Sequence, residues 1–241
     1  MVDSKTEITW REVWKRIKWR FGDKRNRRKL YWLLFHLAAV VILLGLLLYT
    51  PGRYKPVAQA NSRNMSKYLT HELAPTFYNG AQKGRPFDLP VTQEGINDII
   101  AHSGWPRQYG ETSFCEPAVL FEPDGIVLMG TVDMRGVEFV VTIVLEPQLN
   151  DMGLLNLRVG KVKVGAMNVT FPARIIAKRM YEQRVGAAPV DFRDIRTQIA
   201  ASLLNDEPFE PVFKAEDKYV RLEKITLEKE KLTLRLVPIS D

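Results

Sequence analysis

The run from Leu30 to Tyr49, LYWLLFHLAAVVILLGLLLY, carries no Asp, Glu, Lys or Arg. Wound as a helix at about 1.5 Å per residue, it reaches roughly 30 Å, the thickness of a bilayer's hydrocarbon core. A helix satisfies its own backbone groups, so it can sit in lipid. The expectation is a single-pass membrane chain whose remaining residues work beside that membrane.

Charge sets the expected orientation. Residues 1–29 hold 11 of the 35 Lys and Arg and 4 of the 28 Asp and Glu, so this tail alone carries the net +7 and the rest of the chain is neutral. A neutral main domain lacks the clustered cations that phosphate binding needs, so no nucleic-acid partner is expected. Lys24, Arg25, Arg27, Arg28 and Lys29 abut the apolar run. The positive-inside rule then puts the N-terminus in the cytoplasm and the C-terminal domain outside it, on the cytoplasmic (inner) membrane of a bacterium. Ala58-Gln59-Ala60 has the small-x-small pattern of a signal-peptide cleavage site. The apolar run is longer than the usual about 7–15 residues of a cleaved signal, so the reading is an uncut signal-anchor.

In the tail, Thr9-Trp-Arg-Glu12 has the form of a capping box. Trp10, Val13, Trp14, Ile17 and Phe21 follow on one helical face among Lys and Arg. A basic helix with an aromatic stripe suits the headgroup layer of an anionic leaflet, and the alternative is docking on a partner subunit. The sequence thus divides into a basic tail (1–29), a transmembrane helix (30–49), a linker with a short helix (50–91) and an extracytoplasmic domain (92–241).

Past the run, Asn61 to Leu73 reads as a short helix ended by Pro75. A second helix starts at Thr92 with the stripe Ile96, Ile99, Ile100, and stops at Gly104. The pattern then changes to period two. Ala118–Phe121, Ile126–Met134 and Val137–Leu145 read as strands, with turns at Pro123-Asp124-Gly125 and Arg135-Gly136. After a loop from Pro147 to Gly153, a strand from Leu154 to Val164 shifts its apolar phase at Gly160, which implies a β-bulge. Pro172 opens a helix with Ile175, Ile176 and Met180, and another helix covers Phe192–Leu204. Strands Tyr219–Leu227 and Lys231–Val237 close the chain, the first bent between Leu222 and Ile225. The fold class expected is α+β: one long, bent antiparallel meander packed on a few helices. Val127, Met129, Val140 and Val144 make the second face of these strands apolar too. A strand apolar on both sides must bury both, and the second face needs a helix, a partner or a greasy ligand.

No catalytic motif stands out. The histidines are His36, His71 and His102, with no HExxH, no Gly-x-Ser-x-Gly elbow and no phosphate-cradling glycine loop. The single cysteine, Cys115, permits no internal disulfide and reads as a buried thiol. Asp191 and Asp194 around Arg193 read as a solvated helix start. The sequons at Asn64 and Asn168 carry no weight in a bacterial chain. No cofactor, no metal and no enzymatic activity are expected.

The stretch from Asp124 to Arg184 runs strand, glycine turn, a strand ending Leu145-Glu146-Pro147, then Gly153-Leu-Leu-x-Leu-x-Val-Gly-x-Val-x-Val-Gly165 and a helix opened by Pro172. It resembles the YpmS-like family of single-pass bacterial membrane proteins and, more distantly, the tubular lipid-binding (TULIP-like) domains. The helix start Thr92-Gln93-Glu94-Gly95-Ile96-Asn97 looks like the family's helix before the sheet. The chain departs from the family pattern over Ala166–Phe171, and 50–91 has no matching counterpart. The resemblance implies a curved sheet wrapped on a helix, holding lipid in an apolar groove.

The expected function is therefore a membrane-anchored, non-enzymatic binding protein for lipid or another hydrophobic ligand. The candidate groove residues are Ile126, Leu128, Val132, Phe139, Val141, Ile143, Leu155, Leu157, Val162 and Val164, and either strand face qualifies. Met129, Met134 and Met167 add adaptable thioethers. Membrane lipids are the expected partners. The alternative is a protein-interaction subunit of an envelope complex that binds its partner on the sheet.

Overall fold

A computed structural model describes residues 24–57, 64–187 and 194–239. The tail residues Trp10 and Trp14, the Ala58-Gln59-Ala60 triplet and the helix start at Phe192 lie outside the described residues. Two units separate, one ending at Leu46 and one running from Leu47 onward.

The first unit holds helix α1, Lys24–Leu47, all but its last residue. Its segment Arg27–Leu47 has the length and composition to cross a membrane, a test that a signal sequence also passes. The one imidazole in the run is satisfied locally, since His36 Nδ1 donates to the Trp32 carbonyl at 2.7 Å. An unpaired ring N–H in lipid would cost several kcal/mol, roughly that of any orphaned polar group.

The second unit is α+β, with two antiparallel sheets and helices packed on them. A π turn at Leu69–Leu73 runs straight into α2, Ala74–Gln82. Sequence reasoning ended this helix at Pro75. The π register change comes immediately before the proline, which falls in the first turn of α2, where its missing N–H costs nothing. Next comes β1, Phe87–Thr92, in a stretch read as linker, and then α3, Gln93–Ala101. Pro90 within it has no N–H to give the ladder. It is tolerated because β1 is an edge strand, pairing only with the last strand of the chain.

The larger sheet has six strands in sequence order: β2 (Arg107–Tyr109), β3 (Thr112–Glu122), β4 (Gly125–Met134), β5 (Val137–Leu149), β6 (Leu155–Val164) and β7 (Met167–Asn168). It is the expected meander. Arg135 and Gly136, at φ 57 and 80, form the tight turn between β4 and β5. The Gly160 bulge is present: Val144 pairs with Lys161 and Leu145 with Val159, so Gly160 is the extra residue. β5 continues to Leu149, through residues read as loop.

Two helices follow: α4, Thr170–Ala187, and α5, Ile195–Asn205, which Asp194 caps by accepting from Arg196 N–H. The smaller sheet then forms from β8 (Val212–Ala215), β9 (Lys218–Glu228), β10 (Lys231–Ile239) and β1, in the order β1-β10-β9-β8. The bend read in β9 is a second bulge, with Leu222 opposite Leu236, Lys224 opposite Arg235, and Glu223 extra.

The main core lies between the two sheets. Val119, Phe121 and Leu155 of the larger sheet meet Leu89, Val91, Val220, Leu222 and Leu236 of the smaller, with Ile96 and Ile100 of α3 and Ile195 and Ile199 of α5 at its sides. The opposite face of the larger sheet has its own cluster. Ala118, Val127, Met129 and Val140 pack under Tyr54 and Val57, from the segment just after α1. Tyr54 Oη donates to the Glu116 carbonyl at 2.7 Å and sits 2.9 Å from Thr131 Oγ1. The chain's own strap thus covers the second apolar face that the sequence left unassigned.

Beyond the short β2, α3 caps the edge of β3. Asn97 accepts from Val119 N–H at 2.8 Å and donates to the Val119 carbonyl at 2.9 Å, and Gln93 Oε1 accepts from Phe121 N–H at 2.9 Å. Residues one helical turn apart thereby stand in for a missing strand.

Candidate functional site

A cleft of about 540 Å³ opens between the larger sheet and helices α4 and α5. Its floor is Leu128 of β4, Ile143 and Leu145 of β5, and Val159 and Val162 of β6. The Gly160 bulge is what keeps Val159 and Val162 on the same face despite their odd spacing. Ala173 and Ala177 form the α4 wall, with Arg174 and Lys178 beside them, and Leu203, Leu204, Asn205 and Asp206 close the α5 side.

The cleft exists because of how α4 is turned. Ile175, Ile176 and Met180 make an apolar stripe on this helix, which sequence reasoning noted without orienting it. The structure turns that stripe to solvent, and the residues facing the sheet are Ala173, Ala177 and Tyr181, one helical turn apart. Two methyl side chains over a floor of Leu, Ile and Val leave space that larger ones would fill.

Three groups hold α4 at this stand-off. At its start, Thr170 Oγ1 accepts from Val162 N–H at 2.8 Å. Midway, Arg174 Nη2 donates to the Val159 carbonyl at 2.8 Å. Further on, Tyr181 Oη donates to the Glu207 carboxylate, at 3.1 Å to Oε2. Burial, followed by the bonded Glu207 carboxylate, pushes the Tyr181 phenol above its ordinary value, because both penalise the phenolate.

These contacts also close the outer edge of β6. Leu155 exchanges both backbone hydrogen bonds with Phe209, at 2.8 and 3.0 Å. Leu157 N–H donates to the buried Ser202 Oγ at 2.8 Å. With Arg174 on Val159 and Thr170 on Val162, much of the ladder beyond β5 is occupied by side chains and a bridge.

Strand pairing places the sequence-derived groove residues. Opposite residues share a face, so Ile126, Leu128, Val132 and Met134 lie with Phe139, Val141 and Ile143, and these with Val162, Val164 and Met167. Every candidate except Met129 is on the cleft face; Met129 lies in the cluster under Tyr54. Only Leu128, Ile143 and Val162 line the cleft itself. Leu155 is in the main core and Ile126 and Leu157 pack against it. Met134 is exposed at the β4–β5 turn, and Val132 is buried. Lining residues that the sequence reading missed are Leu145, Val159, Ala173, Ala177, Leu203 and Leu204. The alanine pair at i and i+4 was a legible signal for a helix meant to stand off its neighbour.

Elsewhere, Cys115 Sγ lies 3.6 Å from Ser113 Oγ, and His102 Nδ1 donates to the Asp98 carbonyl at 2.8 Å. Among the described residues, no three His, Cys, Asp or Glu side chains converge as metal ligands would.

No family model matches the chain, and no curated protein matches it.

Proposed function

We propose that this chain is a membrane-anchored holder of lipid or another elongated apolar ligand, working without catalysis, as its resemblance to the YpmS-like and tubular lipid-binding domains implies. In this reading α1 stays in the cytoplasmic membrane, the basic tail is cytoplasmic and the α+β unit lies outside. The observation that carries the proposal is the aliphatic cleft of about 540 Å³ beneath α4. Its size falls within the roughly 300–1,000 Å³ of small-ligand sites. Its floor carries no polar side chain, and its polar groups, Arg174, Lys178, Asn205 and Asp206, come from α4 and the C-terminal end of α5. A chain of methylenes gains about 0.8 kcal/mol for each one buried, and a rim cation supplies a partner for an anionic head.

The strand-adding protein partner is less well supported, since the edge of β6 beside the cleft is already taken by Phe209, Ser202, Arg174 and Thr170.

The test is photocrosslinking. The full chain is reconstituted in nanodiscs containing a phospholipid with a photoreactive acyl chain, and crosslinked peptides are mapped by mass spectrometry. Adducts on β5, β6 and α5 that disappear in Ile143→Trp are expected. Adducts confined to α1, unchanged by that substitution, would overturn the proposal.

A further inference from the structure

Helix α4 carries its large apolar side chains on the wrong side for a water-facing helix. Phe171 is 76% exposed, Ile175 42%, Ile176 58% and Met180 59%. At about 100° per residue these four, with Pro172, span the half of the helix opposite Ala173, Ala177 and Tyr181. A helix packed on a soluble domain puts such residues against the core. Here the core side is given to alanine, and the apolar half has no partner among the described residues.

We infer that the outward half of α4 docks on the surface of a lipid bilayer with anionic headgroups. Three observations select that occupant. First is position. Gly165 and Ala166, in the β6–β7 turn shortly before α4, border the same pocket as Tyr49, Pro51, Gly52 and Arg53, at the end of the apolar run and just after it. From Ala166 to Thr170 the chain reaches at most about 14 Å, so α4 starts close to where the chain would leave a membrane. Second is charge. On α4 itself Arg174, Lys178 and Arg179 are exposed and outnumber Glu182, as an anionic leaflet requires. Third, Arg179 sits in the middle of the apolar half. A dry protein interface would strand that cation, whereas at a bilayer surface its stem lies on the acyl boundary and its head reaches the phosphates.

The inference rests on the membrane attachment proposed above and needs no ligand in the cleft. It adds a consequence for the cleft, because Arg174 and Lys178 line it from the same helix. Docking α4 would bring that rim to the headgroups.

The test uses the full chain with Cys115→Ser and Ile176→Cys, labelled with an environment-sensitive fluorophore, in nanodiscs of equal parts phosphatidylcholine and phosphatidylglycerol. A probe at Lys224→Cys, exposed on the smaller sheet, is the aqueous reference. A lipid carrying a nitroxide near its headgroup should quench the 176 probe about threefold more than the 224 probe, and iodide should reach it correspondingly less. Phe171→Cys gives the same readout at a second site if Ile176→Cys perturbs the fold. Equal iodide quenching at 176 and 224, with the chain retained in the discs, overturns the inference and leaves the attachment standing. A 176 probe shielded from iodide yet untouched by the nitroxide means a protein or second copy covers α4, and also overturns it. A chain that leaves the discs altogether overturns both readings.

Discussion

Arg174 of α4 reaches across the cleft mouth to the backbone carbonyl of Val159, 2.8 Å away on β6. That bond ties the lid of the cleft to the residue just before the Gly160 bulge. Removing it frees the middle of α4 while its two end contacts remain. Arg174→Ala is expected to destabilise the fold by about 1 kcal/mol, since the bond is charge-assisted but exposed. Hydrogen exchange in α4 should rise, while exchange in β3 and β4 stays as in the unaltered chain. Peptide-resolved hydrogen–deuterium exchange reads both.

Ser202 and Thr142 are buried hydroxyls with opposite accounts. Ser202 Oγ, fully buried, accepts from Leu157 N–H at 2.8 Å. Ser202→Ala leaves that amide unsatisfied and should cost about 1–3 kcal/mol. Thr142 Oγ1 has no hydrogen-bond partner among the described residues. Thr142→Val removes a desolvated hydroxyl at nearly constant shape and should leave stability unchanged or raise it by about 1 kcal/mol. Urea denaturation of the two variants side by side should lower the midpoint for Ser202→Ala and not for Thr142→Val.

Tyr54 sets the alkaline limit of the strap. Burial first, and the nearby Glu116 carboxylate, raise its phenol above the ordinary 10.0, outweighing the opposing hydrogen bond from Thr131. In the unfolded chain the phenol ionises at its ordinary value, so above that pH the unfolded state binds fewer protons than the folded one. The contribution is complete below about pH 10 and falls as pH climbs through the raised value. Tyr54→Phe should lower stability near neutrality by about 1 kcal/mol and flatten this alkaline decline. Tyr181, raised for the same first reason, would supply the remaining slope. Denaturation midpoints across alkaline pH measure it.

Asp98 sets an acid limit. The Ser66 hydroxyl donates to its carboxylate at 2.5 Å, and this bond is the first cause holding Asp98 below its ordinary 3.8. The Tyr68 amide and the charges of His102 and Lys67 add to it against a burial penalty. Here the unfolded state takes up the proton first, so the stability is present above about pH 4 and is lost as pH falls through the lowered value. Asp98→Asn should abolish this loss. Equal acid sensitivity of the variant and the parent chain would show that the Ser66 contact carries no weight in the fold.

The β architecture was legible because side chains alternate strictly along a strand. The slip at Gly160 and the one between Leu222 and Ile225 could each be read as an extra residue, and both are. The same logic put the candidates Leu128, Ile143 and Val162 on one face. It could not say which part of that face lies under the smaller sheet, and so did not separate Leu155 or Leu157 from the cleft. Strand β1 was hidden by Pro90, whose permissibility depends on the strand being at an edge. The Tyr54 strap was hidden because a five-residue stretch has no periodicity to read. The orientation of α4 was not legible, for a physical reason. An apolar stripe specifies burial, and the medium that buries it is not written in the stripe itself.

The strap has a mechanical corollary. Arg53 pairs with Glu122 at 2.6 Å and Tyr54 is clamped to Glu116, so the folded unit begins within a few residues of Tyr49. With α1 in a bilayer, the leash from Leu47 to Arg53 is at most about 22 Å at full stretch. On so short a leash the unit samples one leaflet at very high effective concentration and can never cross an aqueous gap. In the proposed lipid-holding role, a ligand taken from that leaflet would be handed over on the spot, to something that comes to it.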